Sequence, residues 1–305
     1  MTGFVVRRLV RLVVVCAGVS LVTFAILHAS GDPVALIMPE APEADRAPLR
    51  RALGLEDPLP VQFLRFMGNT LRVDFGKSFF HHGQPASRLV LERMPTTLTL
   101  TAASLALALV VALPVGIYSA VRRHSPIDQA ATVMVFLGQS MPVFWTGIML
   151  ILLFAVQWRL LPVSGWDSWA SAVLPTLTLG TFSAPLLVRI ARSSMLEIIN
   201  LDYVRTARAK GVPERFVIWR HALTNAALPL VTVTGLQFGL LLGGAVITET
   251  VFAVPGVGRL IVGAIRQLDF PVVQAGVFML AMIVVSVNFV VDLLYVYLNP
   301  QIRIR

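Results

Sequence analysis

The residue types in this 305-residue chain that could do chemistry are few, and each lacks the neighbours its reaction needs. Gly76-Lys77-Ser78 imitates the end of a phosphate-binding loop, whose backbone amides cradle phosphates while the lysine reaches the outermost one. That motif requires a glycine five residues before the second glycine, and Leu71 stands there. Lys210 lacks the pattern too, so no nucleotide site is expected on this chain. His81-His82 supplies two imidazoles with no carboxylate or cysteine at ligand spacing, and a solvated loop pair is expected rather than a metal site. The one cysteine, Cys16, lies in an apolar run, which excludes an internal disulfide and disfavours thiol catalysis. No Ser/His/Asp order stands out, and no catalytic, cofactor or metal residue is expected.

The elements around these residues are membrane elements. With 56% hydrophobic and 13% charged residues, the chain has about half the charge a soluble domain carries, so lipid must be its solvent. The net charge of +9 raises nucleic acid as a partner. The basic residues, however, sit in short segments between apolar runs, a membrane-topology pattern, and nucleic acid is not expected. The first apolar run is too long for a signal peptide and lacks a small-residue cleavage site. A span needs about 20 residues, and six segments qualify: 9–28, 94–121, the stretch between Asp128 and Arg159, the stretch between Asp167 and Arg189, 226–248 and 270–298. The expected fold is therefore an all-α membrane protein of six helices.

Basic residues orient it with both termini inside. The inner pieces hold 14 of them against 4 acids, 7 between Arg189 and Arg220 alone. Trp158, Trp166 and Trp169 then fall at the outer face, where indoles favour the interface. Ionisable groups inside spans are costly and hence functional candidates. Asp292, with Asn288 one turn before it, is well inside the sixth span, and Glu249 closes the fifth. A hydrogen-bonding role for Asp292 is expected over a proton relay. Pro114, Pro142, Pro175, Pro185 and Pro229 should kink their helices, and Gly243-Gly244 should permit close approach.

Two connections carry pattern. In the outer loop 29–93, Pro58 and Pro60 precede Val61, Leu64, Met67 and Leu71, an apolar stripe that reads as an interfacial helix. Packing on span ends and contact with a substrate are its two readings. The inner loop 193–225 is too polar for lipid, yet Tyr203, Val204, Ala207, Val212, Phe216, Val217 and Trp219 make it too apolar for a solvated linker. Small residues at Ala207, Ala209 and Gly211 would let a short helix sink into a partner's groove. Gly211 should end that helix in a left-handed conformation, with Pro213 preventing its continuation. Physics alone leaves partner docking and lipid binding equally open. Further on, Pro255-Gly256 suits a type II turn, followed by a short outer helix through Ile265.

The stretch Asp202-Tyr203-Val204-Arg205-Thr206-Ala207-Arg208-Ala209-Lys210-Gly211 resembles the ATPase-contacting loop of ABC importer permeases, in the dipeptide/oligopeptide/nickel branch. In the wider superfamily that loop begins Glu-Ala-Ala; here Arg205-Thr206-Ala207 stands in those places and Gly211 matches the later glycine, as in the peptide branch. Similar agreement runs through His28 to Pro33, Leu53-Gly54-Leu55 with Asp57 to Gln62, and Glu92 to Leu98. It continues in Leu161 to Trp166, Glu249 to Phe252 and Pro255 to Gly258.

The resemblance implies one permease domain over 1–305, comprising a tail and first span (1–28), outer loop (29–93), five-span core (94–298) and cytoplasmic tail (299–305). It implies half of a translocation pore in a bacterial or archaeal plasma membrane. The implied partners are a second, homologous permease (a heterodimer), two ATPase domains that bind ATP and Mg, an extracytoplasmic solute-binding protein, and membrane lipid. ATPase coupling falls to Tyr203, Val204, Arg205, Thr206, Ala207, Arg208, Ala209, Lys210, Gly211, Val212 and Pro213. The outer gate and binding-protein contact fall to Glu249, Pro255, Gly256, Gly258 and Arg259. An ion-coupled secondary transporter is the rival, but it predicts inverted repeats and paired intramembrane charges that are not visible. The cargo, among dipeptides, longer peptides, glutathione, nickel chelates and haem-like molecules, is not readable.

Overall fold

The computed structural model describes the backbone of residues 2–29, 34–35, 38, 40–52 and 54–298. The expected Gly31-Asp32-Pro33 motif, Leu53 and the basic tail lie outside them. Among the described residues the chain is helical, with one isolated bridge between Lys77 and Pro85 and no strand. The helices are α1 (Thr2–Ala29), α2 (Glu43–Ala52), α3 (Leu59–Leu71), α4 (Ala86–Val121), α5 (Pro126–Ser140) and α6 (Val143–Leu150). They continue with α7 (Trp169–Ile198), α8 (Asp202–Ala209), α9 (Leu223–Val251), α10 (Val257–Gln267) and α11 (Phe270–Leu298). Among the described residues, four helical runs are long and apolar enough to cross a membrane: Ala86–Val121, Trp169–Ile198, Glu214–Val251 and Phe270–Leu294. α1 contributes the apolar stretch Val13–Ile26.

The expected third span is not one straight helix. Pro126–Ser140 and Val143–Gln157 meet at an angle of 105°. Pro142 pushes the residue before it out of the helical region, and Met141 is accordingly extended at φ −92°, ψ 126°. α6 then runs into a π-helical segment, Ile151–Gln157. Pro175, Pro185 and Pro229 by contrast lie inside continuous helices.

The chain divides into two compact units, residues 1–97 with 255–285 and residues 98–254 with 286–305. In the first, α3 packs on α1 through Phe24, whose ring lies 5.4 Å from Phe63 and 5.9 Å from Phe66. Asp269, fully buried, accepts from the Ser78 hydroxyl and the Phe79 amide, and so ties the 76–85 hairpin to the start of α11.

The second unit has a core of Leu100, Leu105, Ala112, Leu179, Leu187 and Leu241, joining α4, α7 and α9. Close approach is set where a side chain would not fit. A Cβ on Gly116 would sit 2.6 Å from Ala191 Cβ and 2.9 Å from the Val188 carbonyl. One on Gly235 would collide with Val291. At the expected Gly243-Gly244 pair the approach is looser: Gly243 meets nothing within 4 Å, and Gly244 meets only Leu179 at 3.1 Å. Polar ties cross the apolar core: Gln237 donates to Ser183 Oγ at 2.7 Å. Arg192 grips Asp128 in two bonds, Nε to Oδ1 at 2.8 Å and Nη2 to Oδ2 at 3.1 Å. Gly138, Pro185 and Met134 help line an apolar cavity of about 510 Å³ between α4, α5 and α7.

Candidate functional site

The loop expected on the inner side, 193–225, folds into α8 followed by a tight reversal. Leu201 is extended at the N-terminus of α8, and Asp202 sits in the first turn, where a carboxylate favours the helix dipole. The C-terminus closes in a Schellman motif. The Gly211 amide donates to the Arg208 carbonyl at 2.9 Å, and the Val212 amide donates to the Ala207 carbonyl at 3.2 Å. Gly211 has φ 74°, a left-handed conformation that glycine adopts without steric cost. Val212 packs back near Ala207, the apolar contact that accompanies this cap. Pro213 then leads into a helical turn at Glu214 and a π-helical segment, Val217–Ala222, before α9 begins.

The direction in which α8 faces corrects one expectation. Val204 is fully buried and Ala207 is 9% exposed, both in a cluster with Val217. Ala207 is therefore small because α8 lies close on its own chain, and it does not offer a socket outward. The residues left facing outward include Tyr203, Arg205, Thr206, Ala209, Lys210 and Gly211. Beyond them Phe216 and Trp219 are exposed as well.

Four polar contacts brace the loop. Arg208 forks onto Glu214, Nη2 to Oε1 at 2.7 Å and Nε to Oε2 at 3.1 Å, and its Nη1 donates to the Ile199 carbonyl at 3.3 Å. Glu214 lies with Arg215 and Arg220 before the apolar stretch of α9. The hydrogen bonds from Arg208 hold its carboxyl below the usual carboxylate range, and the guanidinium is raised in return. Tyr203 Oη accepts from Asn225 Nδ2 at 2.9 Å and donates to the His221 carbonyl at 3.3 Å. Glu214, Val217 and Asn225 were absent from the expected coupling residues. The signal for them was weak: the Arg208/Glu214 spacing of six crosses a helix end, where no periodicity rule applies.

The other expected residues are dispersed. Glu249 is fully buried in the last turn of α9. Gly256 has φ −99° and ψ −179°, so the expected type II turn with positive φ at this glycine does not form. Gly256 instead precedes α10 as its cap residue, and the α10 helix covers the expected stretch through Ile265. The Val257 amide, one of the donors a helix start leaves unpaired, donates to Thr97 Oγ1 at 2.8 Å. Pro255 and Arg259 are exposed, while Gly258 is buried. Asn288 and Asp292 are half-buried on α11.

No group of three His, Cys, Asp or Glu able to hold a metal occurs among the described residues. Ser78, His81 and Asp269 do converge, with Ser78 Oγ 3.0 Å from His81 Nδ1. The hydroxyl is nevertheless buried, gives its proton to the carboxylate and accepts from the amides of Phe80 and His81. That is a turn-holding hydroxyl. A nucleophile would need its proton directed to the imidazole.

What remains is a set of apolar helices and one braced, basic loop around α8. Residues 112–304 match the family described as binding-protein-dependent transport system inner membrane component, and residues 1–101 match its N-terminal companion family. The chain belongs to the binding-protein-dependent transport permeases. This permease is 40% identical to the dipeptide transport system permease protein DppB of Escherichia coli (strain K12), over 99% of each chain. It is 38% identical to the oligopeptide transport system permease protein AppB of Bacillus subtilis (strain 168), over 99% of this chain and all of the relative. It is 41% identical to the glutathione transport system permease protein GsiC of Salmonella paratyphi A, over the full length of both. Among solved structures, an inward-facing MetNI methionine ABC transporter chain matches 69% of the permease and 96% of itself, with a TM-score of 0.56 at 21% identity. That likeness establishes the permease fold.

Proposed function

We propose that this permease is half of the pore of an ATP-driven importer whose cargo is a short peptide or a peptide-like solute. The observation that supports the cargo class most is the full-length identity near 40% to three relatives named for dipeptide, oligopeptide and glutathione transport. Their cargoes share a peptide bond between charged termini. In this reading residues 1–305 act as one permease domain with six spans, both termini in the cytoplasm, in a bacterial or archaeal plasma membrane. The chain pairs with a second, homologous permease. ATP and Mg bind on partner ATPases, and a solute-binding protein delivers cargo at the outer side near Glu249, Pro255, Gly256, Gly258 and Arg259.

The loop around α8 is the transmission element. A lever must be stiff towards its own chain and expose contact groups to the driver. The buried Val204/Ala207/Val217 cluster and the Arg208–Glu214 fork supply stiffness. Arg205, Thr206, Ala209, Lys210 and Gly211 supply the outward face. ATP binding then biases the pore between outward- and inward-open arrangements by its differential affinity for the two.

The test reconstitutes the permease with its sister chain, ATPases and binding protein in sealed proteoliposomes, and measures uptake of a labelled dipeptide. Uptake should require internal ATP and survive an uncoupler. Uptake that persists without ATP and collapses with the ion gradient would reject the reading in favour of a secondary transporter.

A further inference from the structure

The helix α3 (Leu59–Leu71) divides its circumference into three sectors, although a helix lying against its own protein needs only two. At about 100° per residue, Phe63, Phe66, Met67 and Thr70 share one sector. They are half-buried or buried, and Phe63 and Phe66 meet Phe24 of α1. The next sector holds Val61, Leu64, Gly68 and Leu71, all exposed: Leu64 is 69% and Leu71 78% accessible. The third holds Gln62, Arg65 and Asn69, with Arg65 in an exposed ion pair to Asp57 at 2.7 Å. Large apolar side chains that stay exposed while charged ones share the same helix call for two different solvents at once.

We infer that α3 lies in the lipid headgroup boundary, with Leu64 and Leu71 inserted among acyl chains and Arg65 and Asn69 in water. Three observations favour lipid as the occupant of the apolar sector. Phe24, the contact on α1, is five residues from the end of that helix at Ala29, about 7–8 Å along its axis at 1.5 Å per residue. An interfacial helix buries its apolar face about 5–10 Å below the headgroups, the same depth. The flank of α1 itself carries exposed Leu21, Val22 and Ile26, so the helix on which α3 packs presents apolar surface of its own, which a spanning α1 turns to lipid. Finally, the ion pair with Asp57 forbids deeper burial, because charged groups in hydrocarbon are costly. The preceding turn is held firmly by Gln62, whose amide donates to the carbonyls of Leu55 and Asp57 at 3.0 and 2.7 Å. The orientation of α3 is thus built in. The inference rests on α1 being a membrane span.

Single cysteines at Leu64, Leu71, Asn69 and Val14 in a Cys16→Ala background, each carrying a nitroxide, would test it in proteoliposomes holding the permease with its partner subunits. Relaxation by oxygen, which concentrates in lipid, is compared with relaxation by a water-soluble nickel chelate. Leu64, Leu71 and the α1 control Val14 should favour oxygen several-fold, and Asn69 should favour nickel. Val61→Cys provides a second probe of the apolar sector should a Leu variant insert poorly. Nickel-dominated relaxation at Leu64 and Leu71 with Val14 still in lipid overturns the inference by placing the sector in water. Labels at 64 and 71 shielded from both reagents overturn it by showing a protein cover. An aqueous signal at Val14 removes the span on which the inference stands.

Discussion

Replacing Ala207 by Trp tests which way α8 faces. Ala207 is 9% exposed and shares a cluster with the fully buried Val204 and Val217, against which Val212 packs. An indole there has nowhere to go without separating α8 from the 212–217 segment. Overpacking of this kind costs about 1–3 kcal/mol, which corresponds to about a 5- to 150-fold shift in a local equilibrium. The shift should appear in this chain alone, before any ATPase binds. Amide exchange of residues 202–213, followed by mass spectrometry in the detergent-solubilised permease, should accelerate by that factor in A207W. An outward-facing change such as Lys210→Glu should leave exchange within about twofold of the parent, since exposed substitutions are worth about half a kcal/mol or less. In the assembled transporter the two variants should converge, both weakening ATPase association. The reasoning is refuted if A207W leaves exchange unchanged while ATPase association falls, because Ala207 would then face the partner.

The Arg208–Glu214 fork makes the loop sensitive to acid. Because the carboxyl is depressed in the folded state, its contribution is present above the unfolded value near 4.5 and is lost as pH falls through the folded one. Both groups are more than a third exposed, so about 1 kcal/mol is the ceiling. Opening rates of 202–216, corrected for intrinsic exchange, should rise below pH 4.5 by no more than about fivefold, and Glu214→Gln should abolish that pH dependence. Gly116→Val should lower the melting temperature and the yield of inserted protein, because its Cβ would meet Ala191 and the Val188 carbonyl. Gly243→Ala, with open space around it, should leave both unchanged; equal damage from the two would refute the close approach at Gly116. Thr97→Val removes the acceptor for the buried Val257 amide and should cost about 1–3 kcal/mol in a thermal melt.

Much that is local in this permease was legible from its residues. Apolar length alone announces the four helical runs long enough to span, because lipid admits no unpaired backbone and a helix satisfies its own. Gly211 announces the end of α8 for a similar reason: a left-handed cap depends on one residue and the two or three before it. The limit shows at Pro142 and Gly256. A proline signals an interruption, yet its size, 105° here, depends on what α5 and α6 pack against. Pro255-Gly256 satisfies the rule for one turn and adopts another conformation, since a neighbouring helix offers Thr97 to the Val257 amide. The pairs Arg192–Asp128 and Ser78–Asp269 lie 64 and 191 positions apart, and no periodicity joins residues at such separations. The same holds for the site. Composition told that 202–213 is a basic, half-apolar helix ending at a glycine, but the two faces of a single two-turn helix are equivalent until something packs on one. Val217, brought back by the reversal at Gly211, occupies one side. That contact turned Ala207 inward and left Arg205 and Lys210 outward, a choice only the tertiary structure could make.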